Sequence, residues 1–344
     1  MSTVLPTIKQ IAKQLNVSVS TVSRALSNHP RIGLGTRLKV QKLAAELGYE
    51  PNALAVSFKQ KKSHIIGVVV PFIREEFFSQ AISGIETMAL DNDYTILFGQ
   101  SYDDVEKEKI IVEAMKKQRV DGLLISLSKE TNRYEHLEAL KKFDIPVVYF
   151  DRVPKAANVH KVYCNLYKGT IDMIGWLINH GYRKIALING PDKIDASKER
   201  LKGYIEGISQ RKLKVDMRMV EKTDFSRQGT QQAIQALLNL KDRPQAIISF
   251  NDYVHMDVVQ YAHQAGLLVN KEIVFVSFSN LNITSYMAFP PLASIEQYPY
   301  GQGQKAMELM VKLIKARTDK TSDDSKYYTE ELDATLVAHT QAVR

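Results

Sequence analysis

The chain has 344 residues, 44% of them hydrophobic and 24% charged, with a formal net charge of +8. That length exceeds what one core organises and predicts two or three domains. The absence of any run of 18 or more apolar residues excludes a membrane-spanning helix, and a single cysteine, Cys164, excludes an internal disulfide framework and fits a reducing cytoplasm. The opening segment Met-Ser-Thr-Val-Leu-Pro has no basic stretch followed by an apolar one, so no export signal is expected. No Cys/His cluster has zinc spacing, and neither a metal nor another cofactor is expected.

The charge is not spread evenly. Residues 1–62 hold ten Lys/Arg and only two acids, Glu46 and Glu50, whereas the other 282 residues hold 36 bases and 36 acids. The whole excess therefore sits on a small N-terminal unit, as a polyanion-binding head on a neutral body would have it. In that unit Thr7 and Gln10 form a capping box that starts a first helix. Its face of Ile8, Ile11, Ala12 and Leu15 points inward. Asn16-Val17 turns the chain, and Ser18 caps a second helix that buries Val22, Ala25 and Leu26. A third helix over 36–47 buries Val40, Leu43, Ala44 and Leu47 and stops at Gly48. This is a helix-turn-helix, whose second helix enters the major groove with its N-terminal residues against base edges. Arg24 can form two hydrogen bonds to guanine, and Val19, Ser20 and Thr21 stand at the exposed helix start. Backbone N–H groups at Thr7 and Ser18 can meet phosphate oxygens.

The run Val17-Ser-Val-Ser-Thr-Val-Ser-Arg-Ala-Leu26, followed by Leu47-Gly-Tyr-Glu-Pro-Asn-Ala-Leu-Ala55, resembles the lactose-repressor (LacI/GalR) family of bacterial transcription regulators. The resemblance implies a helix-turn-helix domain over 1–51 and a hinge helix with linker over 52–63. It implies DNA contacts from Thr7, Ser18, Val19, Ser20, Thr21, Arg24, Ser27, Tyr49, Asn52, Leu54 and Phe58. Two hinge helices of a homodimer would dock in the minor groove and push Phe58, at a position where leucine is usual, between bases. So short a helix is marginal alone in water and would order on DNA beside its partner. Val56 stands where the family often has arginine, and Gly33 replaces a frequent serine cap.

From residue 65 onward, apolar runs alternate with helical stretches: 65–70, 94–98, 122–125, 147–150, 185–188, 246–250 and 274–278. Uniformly apolar strands spaced by a helix predict an α/β body of parallel sheets flanked by helices. Length divides them into two lobes, and the resemblance implies a periplasmic-binding-protein-like arrangement with three crossings, placed near 163, 291 and 325. The first lobe would then be 64–163 with 292–325, and the second 164–291 with 326–344. A late strand over 293–295 would return to the first lobe, and one over 332–337 to the second.

Ligands of open α/β sheets bind beyond the carboxyl ends of the strands. Following the strands in order, Pro71-Phe72 leads to Phe77-Phe78, Ser126 and Ser128 follow the third strand, and Asp151-Arg152 the fourth. Gly190-Pro191-Asp192 leads to Arg200, Asn251-Asp252 follows the next strand, and Ser279-Asn280 the last. Rings mixed with acids, amides and arginine suit a small polar ligand such as a sugar. The resemblance points to the same places: Ser197-Lys-Glu-Arg200-Leu-Lys-Gly203 matches the family's effector-holding arginine motif, and Phe225 in Thr223-Asp-Phe225 matches a pocket aromatic. Ser279 stands where aspartate is common, and Cys164-Asn165 replaces a frequent Asp-Asn. The candidate effector residues are thus Phe77, Phe78, Asp151, Arg152, Arg200, Phe225, Asp252 and Ser279. Trp176 reads as core, and Cys164 as a packed, inert thiol.

Two other classes compete. An enzyme would need a catalytic motif, and no nucleophile elbow or phosphate loop is present. Gly301-Gln-Gly303-Gln-Lys-Ala306 fits a dinucleotide pattern but follows no apolar strand. A sugar-binding transport protein would need an export signal and no basic head. The expectation is a cytoplasmic, nucleoid-associated homodimeric regulator, most simply a repressor, whose partners are a palindromic double-stranded DNA operator, a small-molecule effector and a second copy of itself, with no membrane.

Overall fold

The computed structural model describes residues 6–50, 62–319, 321–323 and 325–339. It separates into a head, Met1–Ser63, and a body, His64–Arg344. Residues 51–61 lie outside the described residues, so the hinge helix and the contacts expected of Asn52, Leu54 and Phe58 do too.

Among its described residues the head has three helices, α1 (Ile8–Gln14), α2 (Val19–Leu26) and α3 (Leu34–Glu46). The Thr7 N–H donates to Gln10 Oε1 at 2.7 Å, fixing the start of α1. Asn16, with φ 51°, makes the tight turn, and Ser18 Oγ accepts the Thr21 N–H at 3.0 Å to cap α2. Gly33 stands at the N-cap of α3 and brings no side-chain cap. Ile11, Ala12, Val22, Ala25, Val40 and Ala44 form the core, with Ile8, Leu15, Leu26, Leu43 and Leu47 packed at its margin. The helix stops where Gly48 adopts φ +63°, a left-handed conformation that costs glycine little.

The body holds two six-stranded sheets. The first contains β1 (Ile65–Val70), β2 (Thr95–Gln100), β3 (Gly122–Ile125), β4 (Val147–Phe150), β5 (His160–Cys164) and, late in the chain, Thr329–Leu332. The second contains β6 (Ile185–Asn189), β7 (Val220–Lys222), β8 (Ala246–Ser249), β9 (Val274–Ser279), β10 (Ala293–Glu296) and Thr335–Ala338. We number the two late strands β11 and β12. All pairings are parallel except β10 with β12, which is antiparallel. Each sheet is covered on both faces. In the first lobe α4 (Glu76–Leu90) and α11 (Pro299–Thr318) close one core, and α5 (Val105–Lys117) covers the other. In the second, α7 (Leu166–Asn179) and α8 (Asp195–Gln210) cover one face, and α9 (Arg227–Leu238) and α10 (Asp252–Gln264) the other. A single-turn helix, α6 (Glu135–Glu138), lies between β3 and β4.

The late strands correct the expected chain path. The segment 293–295 does not return to the first lobe, because β10 pairs with β9 in the second sheet. Leu292, Ala293 and Ile295 complete the second lobe's apolar core, and the ladder extends through the Leu292 N–H to the Phe275 carbonyl at 2.8 Å. The chain crosses after Glu296, where Tyr298 at φ 53° turns it into α11. The run 332–337 is not one strand either. Leu332 ends β11 in the first sheet, Asp333-Ala334 crosses, and Thr335 begins β12 in the second. Hydropathy alone merges two strands that belong to different cores.

The dinucleotide-like motif resolves into packing. Gly301 and Gly303 lie inside α11. A Cβ on Gly303 would come within 2.0 Å of the Ala81 carbonyl oxygen, and one on Gly84 within 2.1 Å of the Tyr300 carbonyl oxygen. Glycine at both positions lets α4 and α11 touch backbone to backbone. Trp176 packs at the margin of the second lobe's core, with its ring tilted against His180 at 4.1 Å between centroids. Cys164 is buried, and burial pushes its thiol up to about 12, which leaves it protonated and unreactive.

Candidate functional site

The head presents its candidate DNA face as exposed polar side chains at the start of α2. Ser18, Ser20 and Arg24 are exposed, and Val19, the first residue of the helix, is 42% exposed, apolar and free to meet a thymine methyl. Ser18 Oγ lies 2.8 Å from both Ser20 Oγ and Thr21 Oγ1. This hydroxyl cluster holds the helix end in one shape without a charge. Arg24 projects one turn further along. Two further candidates also make contacts within the head. Ser27 Oγ donates back to the Arg24 carbonyl at 3.2 Å, and Tyr49 is half-buried against the head core. Thr7 is exposed at the N-terminus of α1.

The body's candidate site lies where the carboxyl ends of the strands of both lobes converge. Phe77, Phe78, Asp151, Arg152, Arg200 and Ser279 line one small cavity of about 40 Å³, together with Glu75, Ile194, Phe250, Tyr253, Leu281 and Gln297. Phe77 and Phe78 come from the first turn of α4 and meet edge to face at 5.4 Å. Asp151 follows β4 with φ 58°. That left-handed step swings its carboxylate out of the sheet, where Ser126 Oγ donates to it at 3.3 Å. Tyr102, Asp103, Phe225, Ser279 and Asn280 adopt positive φ as well, all just beyond or at strand ends. Non-glycine residues in this region store strain that packing must hold, and such positions gather at functional sites.

Arg200 is the centre of the cavity. It is 3% exposed, and its Nε and Nη1 have no hydrogen-bond partner among the described residues. Its guanidinium instead lies between Phe250, 3.9 Å from the ring centroid, and Phe278 at 4.4 Å. Burial lowers its pKa to about 9, with nearby Asp151 opposing the shift, so it stays cationic at neutral pH. Burial likewise raises the pKa of Asp151, against the attraction of Arg152 and Arg200. Glu75 is raised by burial too. Arg152 pairs with Asp103 and stands 5.8 Å over the Phe78 ring. The result is a desolvated set of two guanidinium groups, carboxylates and aromatic faces with hydrogen-bonding capacity left unused. A buried donor without a partner is costly, and a ligand oxygen would relieve it.

Two candidates stand elsewhere. Asp252 does not face the cavity. It is fully buried, and its Oδ2 accepts the Leu281 N–H at 2.8 Å, tying down the loop after β9. Burial pushes its carboxyl up to about 7. Asn251, not Asp252, caps α10 by accepting the Val254 N–H at 2.8 Å. Phe225 packs against Phe250 with ring centroids 4.9 Å apart, behind the wall rather than on it. Ser279 Oγ accepts from Gln297 Nε2 at 3.0 Å, so an amide completes the wall where the residue lacks a charge.

Asp103 and Gln297 were missed by the sequence reading. Asp103 follows β2 as Asp151 follows β4, and the same strand-end rule applied to that strand finds it. Gln297 follows β10, which the sequence alone assigns to the other lobe.

Hydrogen bonds join the two lobes. The Glu76 carboxylate accepts the Asn282 and Ile283 N–H groups, each at 3.0 Å. Tyr253 Oη accepts the Glu76 N–H at 2.9 Å and donates to the Arg74 carbonyl at 3.3 Å. Among the described residues no group of three or more His, Cys, Asp or Glu is placed to hold a metal.

Comparison with known proteins gives two family matches. Residues 7–52 match bacterial regulatory proteins of the lacI family, and residues 66–318 match a periplasmic binding protein domain. The chain is 30% identical over 318 residues to catabolite control protein A of Priestia megaterium, covering 92% of this chain and 95% of that protein. It is 29% identical over 305 residues to the HTH-type transcriptional repressor CytR of Escherichia coli K12, covering 89% of each. Among solved structures, the lac repressor dimer bound to operator and the anti-inducer ONPF superposes with a TM-score of 0.81 at 23% identity, covering 98% of this chain and 99% of that one.

Proposed function

Given that the chain belongs to the lacI family of bacterial regulatory proteins, we propose that it is a homodimeric repressor which binds a palindromic operator and is controlled by a sugar-type effector in the cleft between its lobes. It is a DNA-binding transcription regulator, and we infer that it acts by binding alone, without catalysing turnover, at the nucleoid in the bacterial cytoplasm. The observation that carries the effector reading is Arg200, a buried cation with two unpartnered nitrogens beside Asp151 and stacked rings. Planar carboxylate and guanidinium groups pair with sugar hydroxyls, and ring faces pack against the apolar face of a pyranose or furanose.

On this reading α2 of each subunit lies in a major groove, with Arg24 reading a guanine and Val19 and Ser20 at neighbouring base edges. The hinge expected over 52–59, with Phe58 as its wedge, lies outside the described residues. An effector that prefers one setting of the lobes over another shifts the protein between operator-bound and free forms by its differential affinity for the two.

The experiment is a gel-shift competition on an operator selected from random DNA, with and without ligands found by thermal shift. A ligand that stabilises the wild type and changes its operator affinity supports the reading. A ligand that binds the body and leaves operator affinity unchanged overturns it, and so does turnover of the ligand.

A further inference from the structure

The inner cavity around Arg200 opens beside a larger compartment of about 360 Å³ that shares Arg152 and Ile194 with it. This outer compartment differs in charge. Lys129, Arg152 and Lys155 from the first lobe and Lys193 and Lys198 from the second line it, against only Asp192 and Asp195. In a body whose bases and acids are equal in number, that is a concentrated positive field drawn from both lobes.

Part of that charge is compensated, since Arg152 pairs with Asp103, and the surplus rests on Lys129, Lys155 and Lys198. Asp195 serves two lysines, at 3.1 Å from Lys198 and 3.7 Å from Lys155. Asp192 is drawn away to Lys222 at 2.6 Å. Lys193 pairs with Glu130 across the lobes. Lys129 donates to the Asp224 carbonyl at 3.2 Å and also interacts with the Asp224 carboxylate. The compartment also abuts the start of α8, sixteen residues long, whose N-cap Ile194 offers no side-chain acceptor to the first-turn N–H groups. The positive end of that helix borders the same space, offset in part by Asp195 in its first turn. Asn132 lines the opposite wall, where Ser128 Oγ and Thr131 Oγ1 already donate to Ser101 and Glu108.

We infer that the effector is anionic, a phosphorylated monosaccharide. This rests on the cleft being the effector site. The hydroxyl-bearing end reaches inward to Asp151 and Arg200, and the phosphoryl group occupies the outer compartment between Lys129, Lys155 and Lys198. The inner cavity alone is too small for a whole sugar, and the outer one alone has no aromatic pair to read a sugar face. A ligand spanning both uses each for what its residues offer, and ammonium groups from both lobes closing on one dianion would couple binding to lobe closure.

Calorimetry on the full chain tests this with hexose and pentose monophosphates, their unphosphorylated parent sugars, and inorganic phosphate. The expected result is binding of a sugar phosphate at least about tenfold tighter than its parent sugar and than inorganic phosphate. The double variant Lys129→Gln/Lys155→Gln should lose about tenfold or more in affinity for the phosphate ester, with the parent sugar changed less than about twofold. Circular dichroism and operator affinity of the double variant confirm that it folds. A parent sugar that binds as tightly as its ester and shifts operator affinity overturns the inference and leaves the effector reading standing. Unchanged ester affinity in the double variant overturns it as well. Inorganic phosphate binding as tightly as any ester would show that the sugar contributes nothing, and would also overturn it. Silence of the whole panel counts against both this inference and a sugar-type effector.

Discussion

The head and the body put function in opposite places. In the head the candidate residues Ser18, Val19, Ser20 and Arg24 are exposed, and a small core of Ile11, Val22, Val40 and their neighbours serves to hold them out. In the body the candidate residues are withdrawn from water. Arg200 is 3% exposed and Ser279 4%. DNA is a large, fixed polyanion, so a rigid helix with a few projecting groups can read it, and the phosphate backbone supplies much of the affinity. A small ligand offers few atoms. Its site must surround it, exclude water and leave its own polar groups incompletely satisfied until the ligand arrives.

Substitutions can break this contrast, and the largest effect is expected at Arg24. Arg24→Ala removes about 1–3 kcal/mol of base discrimination per half-site, while binding to nonspecific DNA, carried by the surrounding lysines, stays close to wild type. A competition assay that finds unchanged operator preference would take Arg24 out of base reading. Arg200→Ala should do the converse, abolishing the effector response and sparing operator affinity. A retained response would remove Arg200 from the site.

A smaller effect is expected at the contact that joins the lobes. Glu76→Gln leaves one acceptor oxygen where two now receive the Asn282 and Ile283 N–H groups. The loss of one charge-assisted hydrogen bond, about 1–2 kcal/mol, should weaken effector binding by roughly tenfold, read by calorimetry with the ligand found above. Affinity equal to wild type would show that this contact does not contribute to closure.

The smallest effect concerns pH. Burial raises the Asp252 carboxyl to about 7 from an ordinary 3.8, with Glu76 and Glu296 adding to the shift. The folded protein therefore holds this proton more tightly than the unfolded chain does. Its contribution to stability is complete below about pH 4 and is lost as pH rises through about 7. Asp252→Asn keeps the acceptor for the Leu281 N–H and removes the titration. Its melting temperature should fall less than that of the wild type between pH 5 and 8, whereas parallel profiles would contradict the assignment.

The same contrast explains what the sequence made legible. The head is built from local signals: the Thr7–Gln10 box, the turn at Asn16, the Ser18 cap and the stop at Gly48 all act within a few residues, and the structure shows each of them. The central strands are legible for a similar reason, since a strand buried on both faces must be apolar throughout. The late strands are not. Whether Ala293–Glu296 joins the first sheet or the second depends on the partner β9 that receives it, which hydropathy does not encode. The split between Leu332 and Thr335 is hidden for the same reason. In the cleft, strand-end reading found Asp151, Arg152 and Ser279, but side-chain direction eluded it. Asp252 turns inward to hold the Leu281 loop, and Phe225 supports Phe250 from behind.

The central claim is that the basic head reads a two-fold-symmetric DNA sequence. Selection of bound DNA from a random pool by the full-length protein, repeated with Arg24→Ala, tests it most directly. The wild type is expected to enrich a palindrome with two half-sites, and Arg24→Ala to bind without that consensus. A wild-type pool with no consensus, an asymmetric single site, or the same palindrome enriched by Arg24→Ala would contradict it.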